Sequence, residues 1–218
     1  MSISIQIQNV TKCFRENVVI DHANLNMIGG NIYGLIGRNG SGKTVLMKCL
    51  CGFMPVDHGT ITVNDVEITA KRIIPDCIGA IIESPGFLPF LSGYQNLKSL
   101  AAIRGIVSDN HLRLLMQEIG LAPESKKHVS KYSLGMKQKL GIIQAIMEDP
   151  PILIFDEPMN GLDADSVSKV RNILLQKKKE GKLIILATHI REDVDHLCDH
   201  VFHIQDGKIV SIGSAKKF

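Results

Sequence analysis

The stretch that decides the fold is Gly37-Arg38-Asn39-Gly40-Ser41-Gly42-Lys43-Thr44, which matches the pattern G-x-x-x-x-G-K-[ST]. An apolar run at 32–36 precedes it, and a helical run at 45–51 follows it. Such a strand, loop and helix N-terminus form an anion site, because glycines let backbone N–H groups surround phosphate and the helix end adds partial positive charge. We therefore predict a nucleotide site at 37–44, with Lys43 reaching the β- and γ-phosphates and the Thr44 hydroxyl binding Mg²⁺.

An acidic pair follows a second apolar run. Residues 152–155 read Ile-Leu-Ile-Phe and lead directly into Asp156 and Glu157. A buried strand of this kind delivers Asp156 at its end, where the carboxylate can hold Mg²⁺ directly or through water. Glu157 can polarise a water molecule for in-line attack on the γ-phosphate. Together with the glycine-rich loop, the pair predicts phosphoryl transfer to water.

The composition is that of an ordinary globular protein. The 218 residues are 44% hydrophobic and 22% charged, which suits one large domain, or one domain with a sub-lobe. The net charge is +3 and no dense block of Lys and Arg occurs, so we expect no nucleic-acid partner. The cysteines form no C-x-x-C pair, which favours reduced and mostly buried thiols in a cytosolic protein. They are Cys13, Cys49, Cys51, Cys77 and Cys198.

The sequence predicts that this chain does not enter a membrane by itself. Residues 1–8 alternate polar and apolar side chains, which is typical of a strand and unlike a signal peptide. No apolar run approaches the ~20 residues that a membrane-spanning helix needs. We expect a cytoplasmic protein that acts at a membrane only through another subunit.

Hydrophobic periodicity predicts an α/β fold. Alternation indicates antiparallel strands at 3–10 and 18–28 and a short strand at 60–63, and continuous apolar runs indicate buried strands at 78–82, 152–155 and 183–187. Helical spacing indicates helices at 97–104, 112–119, 134–147 and 164–179, followed by a short helix from Arg191 and strands near 201–204 and 208–212. The prediction is a P-loop NTPase with a mostly parallel sheet core and an N-terminal antiparallel β lobe. Residues 1–218 would form a single domain, with a helical subdomain at approximately 88–148 inserted in the core.

Further motifs give the chain a resemblance to the ATP-binding cassette (ABC) ATPases. Residues 132–138 read Tyr-Ser-Leu-Gly-Met-Lys-Gln and resemble the family's signature motif LSGGQ, with Ser133 and Gly135 kept. Residues 160–163, Asn-Gly-Leu-Asp, resemble the D-loop, and Thr188-His189 matches the switch histidine. The resemblance implies that Ser133, Gly135 and Asp163 act across a head-to-tail dimer of cassettes. It also implies that His189 contacts the γ-phosphate and orients the attacking water, and that Phe14 stacks on adenine.

One position departs from the usual pattern of this family. The family expects a glutamine about 40 residues after Lys43, and Glu83 occupies that place. Within the family, this acid and a signature of the type found here resemble the bacitracin-resistance and lantibiotic-immunity exporter ATPases. The resemblance implies that Glu83 is a catalytic residue that also touches Mg²⁺, and that its loop faces the membrane subunit.

The resemblance implies an ATP-binding and ATP-hydrolysing subunit of an ABC transporter, an exporter of antimicrobial peptides or other drugs. Its cofactors would be ATP and Mg²⁺, and its partners a second ATPase subunit and a transmembrane permease. It would lie in the cytoplasm, attached through the permease to the inner face of the plasma membrane. Two alternatives stay open at this point. One is a cytosolic ABC ATPase without a transport role, for example in cofactor assembly, and the other is a regulatory nucleotide-binding module without turnover.

Overall fold

The computed structural model describes residues 3–68, 75–83 and 86–214. In chain order, the strands and α-helices of this part are β1 (Ser4–Phe14), β2 (Asn17–Ile28), β3 (Ile32–Ile36), α1 (Lys43–Leu50), β4 (His58–Val63), β5 (Val66–Glu67), β6 (Ile78–Ile81), α2 (Gly93–Arg104), α3 (Asp109–Ile119), α4 (Leu134–Ile146), β7 (Ile152–Asp156), α5 (Ala164–Lys179), β8 (Leu183–Ala187), α6 (Arg191–Leu197), β9 (His200–Gln205) and β10 (Lys208–Ser214). No helix among these residues combines the length and the apolar character needed to cross a bilayer.

The strands form two sheets. A four-stranded antiparallel sheet has the order β2-β1-β4-β5, and a six-stranded sheet has the order β10-β9-β3-β8-β7-β6. In the larger sheet β10 pairs with β9 antiparallel, and all the other neighbours are parallel. The predicted α/β fold, with a mostly parallel core and an N-terminal antiparallel lobe, is confirmed.

Two apolar cores lie on opposite faces of the larger sheet. Leu153 and Phe155 of β7 join the core that includes the apolar faces of α2, α3 and α4. Ile152 and Ile154 join the core that includes α1 and the antiparallel sheet. Because side chains alternate along a strand, a strand that is covered on both faces is apolar at every position. This is the physical reason for the unbroken apolar runs in the sequence.

Several element boundaries differ from those expected. β1 continues to Phe14, beyond the alternation at 3–10, because the strand carries a bulge between Ile7 and Val10 that resets the pattern. Asn9 lies in this bulge with φ 53°, and its backbone N–H donates to the Asn24 side chain at 2.9 Å. The two-residue strand β5 is too short to produce a periodic signal in the sequence.

The five cysteines all lie in the described residues and all are free thiols. Cys49, Cys51 and Cys198 are buried, and Cys13 and Cys77 are half-buried. Burial disfavours the thiolate, so it raises the pKa of Cys49 to about 11 and the pKa values of Cys51 and Cys198 to about 12. These three thiols are therefore packing groups at neutral pH and not nucleophiles.

A single glycine controls how closely β6 approaches α4. A Cβ at Gly79 would lie 1.9 Å from the Ala145 carbonyl oxygen and 2.7 Å from Cγ of Pro150. We expect Gly79→Ala to lower the free energy of unfolding by about 3 kcal/mol, since backbone atoms must move apart. Urea unfolding followed by circular dichroism measures the change. Gly86→Ala is the matched control, because nothing lies within 4 Å of a Cβ there. Equal stability of the two variants would contradict the packing described.

Candidate nucleotide-binding site

The glycine-rich loop between β3 and α1 is pressed against neighbouring strands. A Cβ at Gly37 would lie 2.3 Å from the Ile204 carbonyl oxygen. Gly42 has φ 107°, and a Cβ there would lie 2.6 Å from the Val19 carbonyl oxygen. Only glycine fits these two positions, so the loop's tight curvature follows directly from the sequence. The loop delivers the backbone N–H groups of the α1 N-terminus to one side of a cleft, which suits an anion.

Lys43 and Ser41 place polar groups inside this loop. The Lys43 side chain is buried, and its ammonium donates to the carbonyl oxygens of Gly37 at 2.6 Å and Arg38 at 3.1 Å. Among the described residues, Ser41 Oγ is buried and has no hydrogen-bond partner. A buried hydroxyl normally has a partner. The loop therefore fits a polyphosphate, whose oxygens accept hydrogen bonds from both a hydroxyl and an ammonium group.

Thr44 and Asp156 form the oxygen-rich part of the site. The Thr44 hydroxyl donates to Asp156 Oδ2 at 2.7 Å and so joins the first turn of α1 to the end of β7. Hydroxyl and carboxylate oxygens are ligands that Mg²⁺ accepts, and this ion completes its coordination with water and phosphate oxygens. Among the described residues, no group of three or more His, Cys, Asp or Glu side chains gathers as a metal site. The Thr44 hydroxyl and the Asp156 carboxylate thus fit a Mg²⁺ ion that a bound nucleotide would also coordinate.

Glu157 and His189 are brought together at the edge of the sheet. Nδ1 of His189 lies 2.8 Å from Glu157 Oε2, and an ionised carboxylate only accepts, so Nδ1 carries the proton. Glu157 has φ 50°, a strained conformation for a residue with a side chain. Two bonds hold it there: its N–H donates to the Ala187 carbonyl at 2.9 Å, and Gln138 Nε2 donates to its carbonyl oxygen at 3.3 Å.

A buried ion pair fixes the loop that carries His189. Nε and Nη2 of Arg171 both donate to Oδ1 of Asp193, at 2.8 and 2.6 Å, and Asp193 is fully buried. The Thr188 hydroxyl donates to the other oxygen of this carboxylate at 3.4 Å and accepts from the Ile190 N–H at 3.1 Å. The residue before His189 is thus tied to α5 and α6, which limits where the imidazole can lie.

Glu83 reaches the same edge of the sheet from β6. Ile81 of β6 pairs with Phe155 of the parallel strand β7, so Glu83 and Glu157 each lie two residues beyond this pair. Glu83 Oε1 accepts from the Lys48 ammonium at 2.7 Å. Glu83 lines the cleft, and its carboxylate is paired with a cation of α1.

An open cleft of about 570 Å³ brings most of the predicted residues together. It is lined by Val19, Asn39, Gly40, Ser41, Gly42, Lys43, Thr44, Val45, Glu83, Leu134, Gln138, Asp156, Glu157 and Asn160. Phe14 is the last residue of β1, just before the turn to β2. Val19 of β2 lines the cleft. Phe14 is 44% exposed, and the Lys12 ammonium lies over its ring, 5.5 Å from the centroid. Phe14 does not line the cleft of this chain, so the adenine contact stays a prediction.

The residues predicted to act across a dimer lie beside this cleft. Ser133 is the N-cap of α4, and its hydroxyl accepts from the Met136 N–H at 3.2 Å. A Cβ at Gly135 would lie 2.4 Å from the Gly161 carbonyl oxygen, so the two predicted motifs touch through their backbones. Asp163 is the N-cap of α5, and hydrogen bonds from the Ser166 hydroxyl and N–H lower its pKa. Within one chain the cleft is lined by Leu134 and not by Ser133 or Gly135.

Comparison with known proteins identifies the family of this chain. The sequence model of the family described as ABC transporter matches residues 20–160. The chain belongs to the ABC transporter family. The predicted resemblance is therefore confirmed, and this family member is an ATP-binding subunit of the ABC type.

Curated ABC relatives match nearly the whole chain. The ABC transporter ATP-binding protein YybJ of Bacillus subtilis is 40% identical over 205 residues, which cover 94% of each chain. The bacitracin transport ATP-binding protein BcrA of Enterococcus faecalis is 38% identical over 212 residues, covering 96% of this chain and 69% of that protein. The lantibiotic transport ATP-binding protein SrtF of Streptococcus pyogenes is 37% identical over 206 residues, covering 94% and 89%.

Solved structures of ABC subunits have the same fold. A structure described as the ATP binding subunit of an ABC transporter superposes with a TM-score of 0.88 at 25% identity, covering 96% of this chain and 89% of that one. A bacterial ABC transporter cassette solved as a dimer also gives a TM-score of 0.88, at 21% identity, covering 98% and 100%. The second likeness concerns the fold alone.

Three residues at the site were not predicted from the sequence. Lys48 pairs with Glu83, Gln138 holds the backbone of Glu157, and Asp193 anchors the loop of His189. Helical spacing offered one signal, since Lys48 lies four residues after Thr44 on α1 and so on the same helix face. Gln138 lies in the motif at 132–138, but its role at Glu157, like the role of Asp193, depends on a contact between distant segments.

Proposed function

We propose that this chain hydrolyses ATP and thereby drives an ABC exporter. The observation that carries the proposal is the placement of two pairs of side chains beside the glycine-rich loop. Thr44 and Asp156 line the cleft, and His189 meets Glu157 in an adjoining pocket that residues 37–39 of the loop also line. The first pair suits a metal bound to a triphosphate, and the second suits a water molecule poised for attack. A module that only binds nucleotide has no need for the second pair.

The chemistry follows from what these residues can hold and move. Lys43 releases its bonds to the loop carbonyls and places its charge on the β- and γ-phosphate oxygens, where negative charge develops in the transition state. Glu157 accepts a hydrogen bond from the attacking water and takes its proton as the water oxygen bonds to the γ-phosphorus. The bond from that phosphorus to the β–γ bridging oxygen breaks in the same displacement, and ADP leaves. His189 holds the Glu157 carboxylate through its Nδ1–H, and a second ring proton on Nε2 would let the same imidazole donate to a γ-phosphate oxygen. Positioning and electrostatics supply most of the rate, because no covalent intermediate is needed.

Thr44 and Asp156 would hold Mg²⁺, with Glu83 as a further carboxylate at the rim. When bound, the ion offsets phosphate charge and fixes the orientation of the triphosphate. Asp156 is held by the Thr44 hydroxyl, so its carboxylate is already oriented before a ligand arrives.

A second ATPase subunit, identical or a sister chain, would complete each site. The N-terminus of α4 is exposed at Ser133 and Leu134, and a helix N-terminus attracts an anion. In a head-to-tail pair, Ser133 and Gly135 of one subunit would close over the triphosphate held by the other. Asp163 would lie at the same contact. ATP would then join the subunits, and hydrolysis would release them.

A permease would dock near Glu83 and the helices α2 to α4. A groove between β6 and the helices α2 and α4 is lined by Phe53, Leu100 and Ile103, and Phe53 and Ile103 are exposed. Phe90 and Ile106 add further exposed apolar surface. Exposed apolar side chains in such a concentration mark interaction sites. The chain would thus lie in the cytoplasm at the inner face of the plasma membrane.

Export of antimicrobial peptides or other drugs is the transport role that the relatives support, since two of them are named for bacitracin and lantibiotic transport. The two non-transport alternatives receive no support from the relatives described. Isolation of the tagged chain from membranes of its host tests the role. We expect an integral membrane protein to co-purify in a fixed ratio, and a chain recovered only free of membrane proteins would contradict transport.

Glu83→Gln is expected to keep a measurable ATPase rate but to need about tenfold more Mg²⁺ for its half-maximal rate. A glutamate offers two anionic oxygens and an amide offers one neutral oxygen, so the metal is held less firmly. Because the loop of Glu83 would face the permease, transport should fall more than basal hydrolysis. A magnesium titration of phosphate release, beside a transport assay of the assembled complex, measures both effects. Unchanged magnesium dependence with unchanged transport would contradict this role of Glu83.

A further inference from the structure

Three carboxylates face the cleft, and each has a partner that fixes it. Asp156 accepts from the Thr44 hydroxyl, and Glu157 is held by His189. Glu83 is paired with Lys48, with 2.7 Å between Nζ and Oε1. The first two partners, Thr44 and His189, belong to motifs that were identified in the sequence. Lys48 belongs to none of them, although it forms a contact of the same kind.

Lys48 is well placed to hold an acid at the metal site. It lies one helical turn after Thr44 on α1, and therefore on the face of the helix that meets Asp156. Its carbonyl oxygen accepts the Phe53 N–H at 2.9 Å, which ties its backbone to the turn that ends α1. The base of the side chain is thus rigid. The side chain as a whole is 27% exposed, and its ammonium meets Glu83.

Glu83, by contrast, needs an external support. Its φ is 62°, a conformation that costs a residue with a Cβ free energy, and its side chain is 62% exposed. An exposed carboxylate on a strained backbone has many alternative positions open to it. The bond to Lys48 uses one oxygen, so the second carboxylate oxygen can still serve a metal ion. A glutamine at this position would not form an ion pair with Lys48.

We propose that Lys48 is a positioning residue that holds the Glu83 carboxylate at the rim of the nucleotide cleft, where it can serve the divalent cation. The inference rests on the proposed function, since it concerns the cation that accompanies ATP. Lys48 acts through Glu83 and not on the nucleotide. Removing Lys48 should therefore have the same consequence as removing the charge of Glu83, and removing both should add nothing.

The test is a double-substitution cycle with Mn²⁺ as the probe. Free Mn²⁺ is measured by electron paramagnetic resonance in the presence of the full chain and a non-hydrolysable ATP analogue. We expect Lys48→Met to weaken Mn²⁺ binding about tenfold, the lower end of the loss expected when the partner of a metal-bound carboxylate is removed. Glu83→Gln should weaken it to a similar degree, and the double variant should lie within about twofold of Glu83→Gln. Lys48→Arg keeps a charged donor and should restore most of the affinity.

A matched control separates this effect from general loss of charge. Lys98 also forms an ion pair with an acid, Asp109, but it lies on α2 and does not line the cleft. Lys98→Met should leave Mn²⁺ affinity unchanged. Thermal midpoints of both Lys→Met variants should stay close to that of the unmodified chain, because exposed ion pairs contribute little stability.

Two results would overturn the inference while leaving the proposed function intact. One is an unchanged Mn²⁺ affinity in Lys48→Met. The other is an equal loss of affinity whether position 83 carries Glu or Gln, which would mean that Lys48 acts independently of Glu83. Failure of the unmodified chain to bind the ATP analogue at all would be a different result, and it would overturn the proposed function itself.

Discussion

Lys43→Ala is expected to lower both the affinity for ATP and the turnover, the latter by at least ~100-fold. Lys43 is buried, and its ammonium donates to the loop carbonyls of Gly37 and Arg38. The glycine-rich loop is therefore folded around this cation. Alanine removes the charge that offsets the phosphates in both the ground state and the transition state. Phosphate release and the binding of a fluorescent ATP analogue measure the two effects separately.

Lys179→Ala is the matched control for this substitution, since Lys179 is exposed in the last turn of α5. It should bind and hydrolyse ATP like the unmodified chain. A Lys43→Ala variant with near-normal ATPase activity would remove the assignment of residues 37–44 as the phosphate loop.

Glu157→Gln is expected to bind ATP normally and almost to stop hydrolysis. The amide keeps the shape of the side chain and can still meet His189, but it cannot take a proton from water. With ATP and Mg²⁺ present, the ATP-bound dimer should therefore accumulate. Size-exclusion chromatography over a series of protein concentrations measures this accumulation, because an isolated subunit can dimerise weakly.

Glu118→Gln provides the control, because Glu118 is exposed on α3. It should hydrolyse ATP and remain monomeric under the same conditions. A Glu157→Gln variant that stays monomeric at every concentration while holding ATP would count against the closed dimer.

Much of the fold could be predicted because its strongest elements leave simple patterns. Strands β3, β7 and β8 are covered on both faces, so their apolar runs stand out from the rest of the sequence. Gly105 and Gly120 end α2 and α3 in the left-handed conformation, which glycine adopts without strain. The predicted starts of α4, α5 and α6 are correct, but α2 and α3 begin earlier than the helical spacing indicated. α2 begins at a capping box of Ser92 and Gln95, a local signal that hydrophobic spacing does not detect.

The residues of the candidate site were easier to predict than the contacts among them. The glycine-rich loop, Asp156, Glu157 and His189 were predictable because each sits at a fixed place beside a strand. The contacts among them were only partly predictable, since Thr44 meets Asp156 across 112 positions of the chain. The pair of Lys48 and Glu83 depends on the side-by-side packing of α1 and the end of β6. No spacing in the sequence encodes that packing.

Release of phosphate from ATP by the purified chain shows directly whether this cleft hydrolyses ATP. The measurement compares the unmodified chain with Glu157→Gln, with Mg²⁺ and with a chelator. If Glu157 is the base, phosphate release requires Mg²⁺ and is almost absent in Glu157→Gln. A rate that is the same in both proteins, or no release above the variant at any Mg²⁺ concentration, would contradict it.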